Sequence, residues 1–367
     1  MTSKPVPFVD LTRQFRDLED DFVDIFKSVG RSGQYILGDA LNLFEEEIAD
    51  YCGVKYALGV ANGTDALVLG MKALGIGPGD EVITVPNSFI SSVGAIMTVG
   101  ATPRFVDVKN DLNMDPSHLE QVINTSTKAI VPVHLTGRPA EMDAICAIAE
   151  KAGIVVLEDA AQAIGAMYKG KKVGGLGKVG GFSLHPLKNL HVYGDGGILT
   201  TNSEDVYEEV LILRNHGLKD RSTCMKWGMN SRLDNLQAAI GSRKLKLLDT
   251  LNDRFREIAR IYSEELDDVV EVPKDQIHEH SVYHNFVIQT DGRDDLMDYL
   301  EREHDIHTAI HYPKLIHTQP AAKSLGYSEG DFPNAERIVK RMVSLPIFPE
   351  LSKEEIFSVI EAIRQFY

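Results

Sequence analysis

The sequence predicts an α/β protein with a mostly parallel central sheet in a large domain and a smaller α+β domain at the C-terminus. Three observations lead to that class. Between residues 56 and 200, short β-branched apolar runs alternate with segments of helical period. The runs lack the in–out alternation of a half-exposed strand, so they read as strands buried on both faces and covered by helices. After residue 200 the alternation stops and helical patterns dominate, in a chain whose 367 residues suffice for two domains.

Residues 13–50 carry a helical period, with Phe15, Leu18, Phe22 and Phe26 spaced for one face. A turn at Ser32-Gly33-Gln34-Tyr35 interrupts it, and a second helix is expected over 39–51. Strands are expected at 57–60, 81–85, 104–108, 129–133, 154–158, 180–183 and 197–201. Helices fit between several of them, at 64–74, 88–99 and 140–152. One long helix is expected from Arg232 to about Ile261, then a strand over 281–290 and helices over 294–304 and 353–366. These patterns divide the chain into a large domain, 1–245, and a small one, 246–367.

A net charge of −16 repels phosphodiester backbones and anionic lipid, so neither nucleic acid nor a membrane is an expected partner. An anionic ligand would need a local site that works against the global field. Cys52, Cys146 and Cys224 are far apart and odd in number, which fits reduced thiols in a cytoplasmic protein and no metal finger. Met1 to Asp10 shows no basic stretch followed by an apolar one, and no apolar run approaches the roughly 20 residues of a spanning helix.

In an open parallel sheet, ligands sit beyond the carboxyl ends of the strands, so the residues that follow each strand carry the functional reading. After the first comes Asn62-Gly63-Thr64-Asp65, opening a helix. Gly63 permits a tight turn, and Thr64 puts an amide and a hydroxyl at a helix N-terminus, where phosphate binds. An ordinary N-cap is the plainer alternative. After the fifth comes Glu158-Asp159-Ala160-Ala161-Gln162. An acid there can pair with a protonated ring nitrogen, and an amide three residues on with a ring oxygen. After the sixth comes Leu184-His185-Pro186-Leu187-Lys188-Asn189, whose amine could form an imine with an aldehyde cofactor. A solvated lysine is the commoner fate of such a residue. Each element alone is weak, but one cofactor needs all three.

Taken together, these strings resemble the DegT/DnrJ/EryC1/StrS sugar aminotransferases, pyridoxal-phosphate (PLP) enzymes of fold type I. The resemblance runs nearly end to end. It takes in Tyr35-Ile36-Leu37-Gly38, Asn62-Gly63-Thr64-Asp65, Val131-Pro132-Val133-His134-Leu135, Glu158-Asp159-Ala160-Ala161-Gln162 and Ser183-Leu184-His185-Pro186-Leu187-Lys188-Asn189. It continues through Arg214-Asn215-His216-Gly217, Gly228-Met229-Asn230-Ser231-Arg232 and His311-Tyr312-Pro313. The resemblance implies that Lys188 bonds the cofactor and later carries a proton, that Asp159 pairs with the pyridinium nitrogen and that Gln162 meets the ring hydroxyl. It further implies that Gly63, Thr64 and Ser183 hold the phosphate and Phe89 stacks on the ring. His185 is expected beside the substrate in the catalytic set, and Asn230 is expected to reach the phosphate of a second subunit in a homodimer with shared sites. Asn62 stands where Ser is common, and Arg138 where Gln is common, a change that could alter ligand contacts.

The implied partners are a nucleotide-linked keto sugar and an amino donor, glutamate in this reading. Tyr35-Ile36-Leu37-Gly38 inclines the reading towards amination at C3. One branch of the family has His in place of the lysine and dehydrates sugars; Lys188 speaks against that chemistry, because imidazole cannot form the imine. A regulatory protein on the same fold is the other alternative. Two further patterns carry less. Gly175 to Gly180 spells GxGxxG but leads into a strand instead of following one, the wrong context for a dinucleotide site. His278, His280 and His284 lack a completing ligand, so a satisfied strand face is expected and no metal; His311 and His317 are placed at the substrate mouth or a turn.

Overall fold

All seven runs read as strands do form strands, and they share one sheet. The computed structural model describes residues 5–367; residues 1–4, where the stretch read for a leader begins, lie outside the described residues. In chain order the first strands are β1 (Tyr56–Val60), β2 (Glu81–Thr84), β3 (Thr102–Phe105), β4 (Thr127–Ile130) and β5 (Val155–Asp159). A short hairpin, β6 (Met167–Tyr168) and β7 (Lys171–Lys172), precedes β8 (Val179–Ser183) and β9 (Gly197–Thr201). The sheet order is β1-β9-β8-β5-β4-β2-β3. Only β9 runs against its neighbours; the other pairings are parallel.

Burial on both faces explains why these strands read as continuous apolar runs. Successive side chains along a strand point to opposite faces. Accordingly Leu58, Val179 and Leu199 join one core, while their neighbours Ala57, Phe182 and Ile198 join another beneath the helix Asp39–Cys52. The first core is covered by the helices Gly63–Ala73 and Ile90–Thr98.

The predicted helix from Arg232 to Ile261 is two helices, Asn235–Leu245 and Leu248–Leu266. The second buries Phe255, Ile258 and Tyr262 in a core with the C-terminal elements. The first packs Ile240 against Leu18 and Phe22 of the N-terminal helix Leu11–Ser32. The two stripes face different partners, so one straight helix could not serve both. The N-terminal helix also corrects its own reading: Leu18 and Phe22 are buried, but Phe15 and Phe26 are exposed. Its 22 residues span about 33 Å, longer than the 11-residue helix beneath it.

The predicted strand 281–290 divides into β10 (Glu279–His280), which pairs with β6, and β11 (Phe286–Gln289), which pairs with β12 (Met342–Leu345). The segment between them is drawn onto the turn after β4. Val282 N donates to Gly137 O at 3.0 Å and Asn285 N to Thr136 O at 3.3 Å, and Tyr283 takes a left-handed φ of 47°. Strand β12 and the helix Glu204–Leu213 are absent from the predicted elements; β12 is four residues long and wholly buried, too short to show a period, whereas the helix buries Val206, Val210 and Leu213 at helical spacing. The three cysteines are unpaired. Among the described residues no helix is long and apolar enough to cross a membrane.

One buried ion pair ties the C-terminal segment to the sheet. Arg138 donates through Nε and Nη2 to Glu279 Oε2 at 2.9 and 2.8 Å, with both side chains nearly inaccessible. Arg138→Ala would leave Glu279 buried without its counter-charge, so urea unfolding should show a loss of about 3 kcal/mol. Arg138→Gln, which keeps a donor, should lose less. A loss below about 1 kcal/mol in the alanine variant would show that the pair does not hold the segment.

Candidate active site

Gly63, Thr64, Phe89, Asp159, Gln162, Ser183, His185 and Lys188 line one cleft of about 320 Å³ at the carboxyl ends of β1, β2, β5 and β8. The C-terminal segment supplies its remaining wall with His284, His311 and Tyr312. Asn230 is absent from this lining; it is exposed, in an isolated bridge with Asn215. Nor does it cap the following helix, whose N-cap position is Asp234. Arg138 lies outside the cleft as well, bound to Glu279.

The helix Gly63–Ala73 enters the cleft by its N-terminus. First-turn amides have no partner within a helix. Asn62 Oδ1 accepts that of Asp65 at 2.8 Å, and those of Gly63 and Thr64 remain at the cleft. No side chain fits at position 63, where a Cβ would lie 2.9 Å from Ser183 Cβ. The Ser183 hydroxyl accepts the His185 amide at 3.3 Å, and the Lys188 amide donates to the His185 carbonyl at 2.8 Å. These bonds fold the 183–188 segment back over the sheet.

Asp159 is held from two sides: Ser92 Oγ donates to Oδ2 at 2.6 Å, and the Ala161 amide to Oδ1 at 3.2 Å. Gln162 is oriented in the same way. Its Oε1 accepts the Thr136 amide at 2.7 Å, and its Nε2 donates to the Tyr312 hydroxyl at 3.1 Å. Beside Tyr312, the half-exposed Phe89 ring lies 5.4 Å away, centroid to centroid. Behind Asp159 the fully buried Glu158 carboxylate accepts the amides of Gly174, Leu176 and Gly177 and the Nε2 hydrogen of His134. The GxGxxG run thus cradles an anion, but one belonging to the chain itself.

Titration in the cleft is governed by burial. Lys188 keeps some contact with the open cleft, yet the packing around its amine pushes its pKa down to about 8, with Asp159 pulling the other way. Burial likewise holds His284 well below the ordinary imidazole value, helped by Lys188 and His311, and puts His311 at about 4. The Tyr312 hydroxyl is raised to about 12 by burial and then by Asp159.

A larger cavity, of about 520 Å³, lies beyond the Thr136 turn. Its cations are engaged already: Lys109 with Glu141, Arg138 with Glu279 and Lys274 with Asp267. Neither Lys188 nor Asp159 reaches it; both line the smaller cleft.

Residues 16–364 match the model of the DegT/DnrJ/EryC1/StrS aminotransferase family. The chain belongs to that family. It is 43% identical, over 98% of its length and 99% of the relative's, to the dTDP-3-amino-3,6-dideoxy-alpha-D-galactopyranose transaminase of Aneurinibacillus thermoaerophilus. It is also 43% identical, over 99% of its length and 98% of the relative's, to a pleiotropic regulatory protein of Geobacillus stearothermophilus. Among solved structures, S. venezuelae DesV in complex with a ketimine intermediate superposes with a TM-score of 0.97 at 38% identity, covering 99% of both chains. Bacillus subtilis NtdA, with bound cofactor PMP, superposes at 0.93 with 30% identity over 98% of this chain and 85% of that one. The α/β fold with its mostly parallel sheet is therefore that of the PLP-dependent sugar aminotransferases.

The cleft suits a phosphorylated pyridine aldehyde. It offers a glycine-lined helix N-terminus, a fixed carboxylate and a buried primary amine, each at a different wall. The sequence left His311 to the substrate mouth or a turn and gave no place in the cleft to Ser92 and His284; all three line it. Ser92 has no motif around it. His284 is legible only as one of three histidines; in the structure His278 meets the Tyr168 ring edge to face, His280 lies in β10 and, of the three, His284 alone enters the cleft. His317 is buried against Glu336, away from the cleft. Among the described residues no group of three or more His, Cys, Asp or Glu is placed to hold a metal ion.

The amine of Lys188 should titrate near 8 in cofactor-free protein, against an ordinary 10.5. An amine reacts only when unprotonated, so acetylation of Lys188, followed by peptide mass spectrometry, should rise through pH 8 and level off about one unit above it. A midpoint at the ordinary lysine value would show that burial does not act on this amine.

Proposed function

We propose that this chain is a PLP-dependent aminotransferase that moves an amino group from an amino-acid donor, glutamate in our reading, to the C3 keto carbon of a nucleotide-linked sugar. The observation that carries the reading is the meeting of Lys188, Asp159 and the Gly63–Thr64 helix start in one cleft. The transaminase named above for a dTDP-linked 3-amino sugar supports the sugar class and the C3 position. When bound, PLP would supply an aldehyde carbon and a ring able to accept electrons from a substrate carbon.

The chain's own residues then divide the work. Gly63, Thr64 and Ser183 would take the phosphate through amides and hydroxyls at a positive helix end. Asp159, fixed by Ser92 and Ala161, would hold the ring nitrogen protonated. Gln162 would meet the ring hydroxyl, and Phe89 would cover one ring face. Lys188 would hold the cofactor's aldehyde carbon and, once displaced by the donor, move the proton at the reacting carbon. With a pKa near 8, a useful fraction of its amine is unprotonated at neutral pH. His185, at the exposed rim, would contact the sugar. The regulatory relative raises a non-catalytic reading, but retention of both Lys188 and Asp159 in the cleft favours the enzyme.

Borohydride reduction followed by peptide mapping should find the cofactor on Lys188; an adduct on another lysine would sink the assignment. Lys188→Ala should fold and lose turnover, and Asp159→Asn should bind some cofactor yet lose most of the rate. In a panel of keto nucleotide sugars, conversion of 4-keto substrates alone would reject C3 but leave the aminotransferase class standing.

We further propose a homodimer whose sites are shared, with Asn230 reaching the partner's phosphate. Phe15, Phe26, Tyr35, Ile36, Leu37 and Trp227 stand exposed, and large apolar side chains left open to water fit a protein interface. Ile36 bridges Asp234, close to Asn230 in the chain, so the exposed turn at Tyr35–Leu37 lies beside the Asn230 segment. Mixing Lys188→Ala chains with Asn230→Asp chains should restore activity, because one site of a mixed dimer then carries both defects and the other neither. No recovery, with subunit exchange confirmed, would show that Asn230 acts within its own chain.

A further inference from the structure

We propose that His284 is a positioning residue for Lys188: its Nε2 lone pair accepts a hydrogen bond from the lysine amine and aims that amine across the cleft. The inference rests on the reading of Lys188 as the cofactor lysine, but its test does not need the cofactor.

The geometry on both sides supports it. Lys188 Nζ and His284 Nε2 are 3.5 Å apart, and among the described residues neither side chain makes another hydrogen bond. The distance is long, as such contacts often are before a ligand tightens a site. Among the described residues the lysine's flexible stem has no other polar tether to hold its amine. The backbone carrying His284, by contrast, is fixed. Val282 N donates to Gly137 O, Asn285 N to Thr136 O, and Asn189 Nδ2 to Val282 O at 3.0 Å. Gly137 is closed in the same way, since a Cβ there would lie 2.9 Å from His284 N. His284 and Lys188 also line both the cleft and a 70 Å³ cavity behind it, so the imidazole forms part of the wall at the lysine's back.

The titration of the neighbours decides what kind of help this is. Facing Lys188 are Asp159 from β5, His185 on its own segment, and His311 and Tyr312 from the C-terminal segment. Around the rear cavity are Asp10, His191 and Glu350. Burial, Lys188, His311 and His185 all keep His284 neutral, while Lys188 titrates near 8. Moving a proton from lysine to this imidazole is therefore uphill, and His284 cannot serve as a proton store. A neutral imidazole with its hydrogen on Nδ1 can still accept at Nε2.

An acceptor stabilises the ammonium form. In cofactor-free protein, the apparent pKa of Lys188 measured by pH-dependent acetylation should fall by about one unit in His284→Leu. It should stay near the wild-type value in His284→Gln, whose amide oxygen can accept. In the loaded enzyme, kcat should fall about tenfold in the leucine variant while KM for the keto sugar holds. Identical acetylation profiles for wild type and His284→Leu would overturn the proposal. Should the leucine variant not fold, nitrogen NMR of histidine-labelled wild type decides, with the His284 signal assigned by its loss in His284→Gln. An unprotonated Nε2 supports the proposal, and a protonated Nε2 overturns it. A borohydride adduct on another lysine is a separate result that sinks the functional reading without touching the acetylation profile.

Discussion

The Glu158 carboxylate has no exposure to water and accepts four hydrogen bonds, three from the Gly174–Gly177 loop and one from His134. That number fills the acceptor sites of a carboxylate, and a buried carboxylate with fewer partners would be strongly destabilising. The anchoring has a directional result. Side chains alternate along a strand, so with Glu158 locked beneath β5, its neighbour Asp159 must face the cleft. The same network extends sideways. His134 Nδ1 accepts the Ala140 amide at 3.0 Å, which leaves Nε2 to donate to Glu158 and holds the chain after β4 in place.

That chain after β4 is where the sheet and the C-terminal segment meet. Thr136 and Gly137 both have positive φ, 60° and 90°. The turn they form directs the Thr136 amide to Gln162 and leaves two carbonyls for Val282 and Asn285. The C-terminal segment is thereby stitched to the carboxyl ends of the strands, and the wall of His284, His311 and Tyr312 follows from it. A cleft framed by residues far apart in sequence is thus set by a few backbone hydrogen bonds in one turn.

Electrostatics work locally against the global charge. The chain carries a net −16, yet its cleft gathers a helix N-terminus, a lysine and three histidines around one carboxylate. Fixed amide dipoles do not vary with pH and need no counter-ion, so they are suited to holding a phosphate on an acidic protein. The burial that lowers the Lys188 pKa also keeps the imidazoles of His284 and His311 neutral, so these two add no repelling cation beside the amine.

Much of this molecule was legible in its sequence. The seven strands declared themselves because burial on both faces writes an apolar run into the chain, and Asp159, Lys188 and Thr64 stood out as candidates because the first ends its strand and the other two follow theirs by a few residues. Those are local facts, fixed by covalent neighbours and by period. The GxGxxG run could be denied a dinucleotide role from its context, but its real ligand, Glu158, could not be read, because the contact closes only when the loop folds under β5. The break in the predicted long helix and the division of the strand at 281–290 escaped for the same reason: helical and strand period persist through a segment that tertiary tethers bend. His284 is the sharpest case. It lies 96 residues from Lys188, and no propensity or spacing links the two. Sequence alone determined which chemical groups stand at the ends of the strands. Which side chains face them was decided only by the tertiary structure, through hydrogen bonds that join segments distant in the chain.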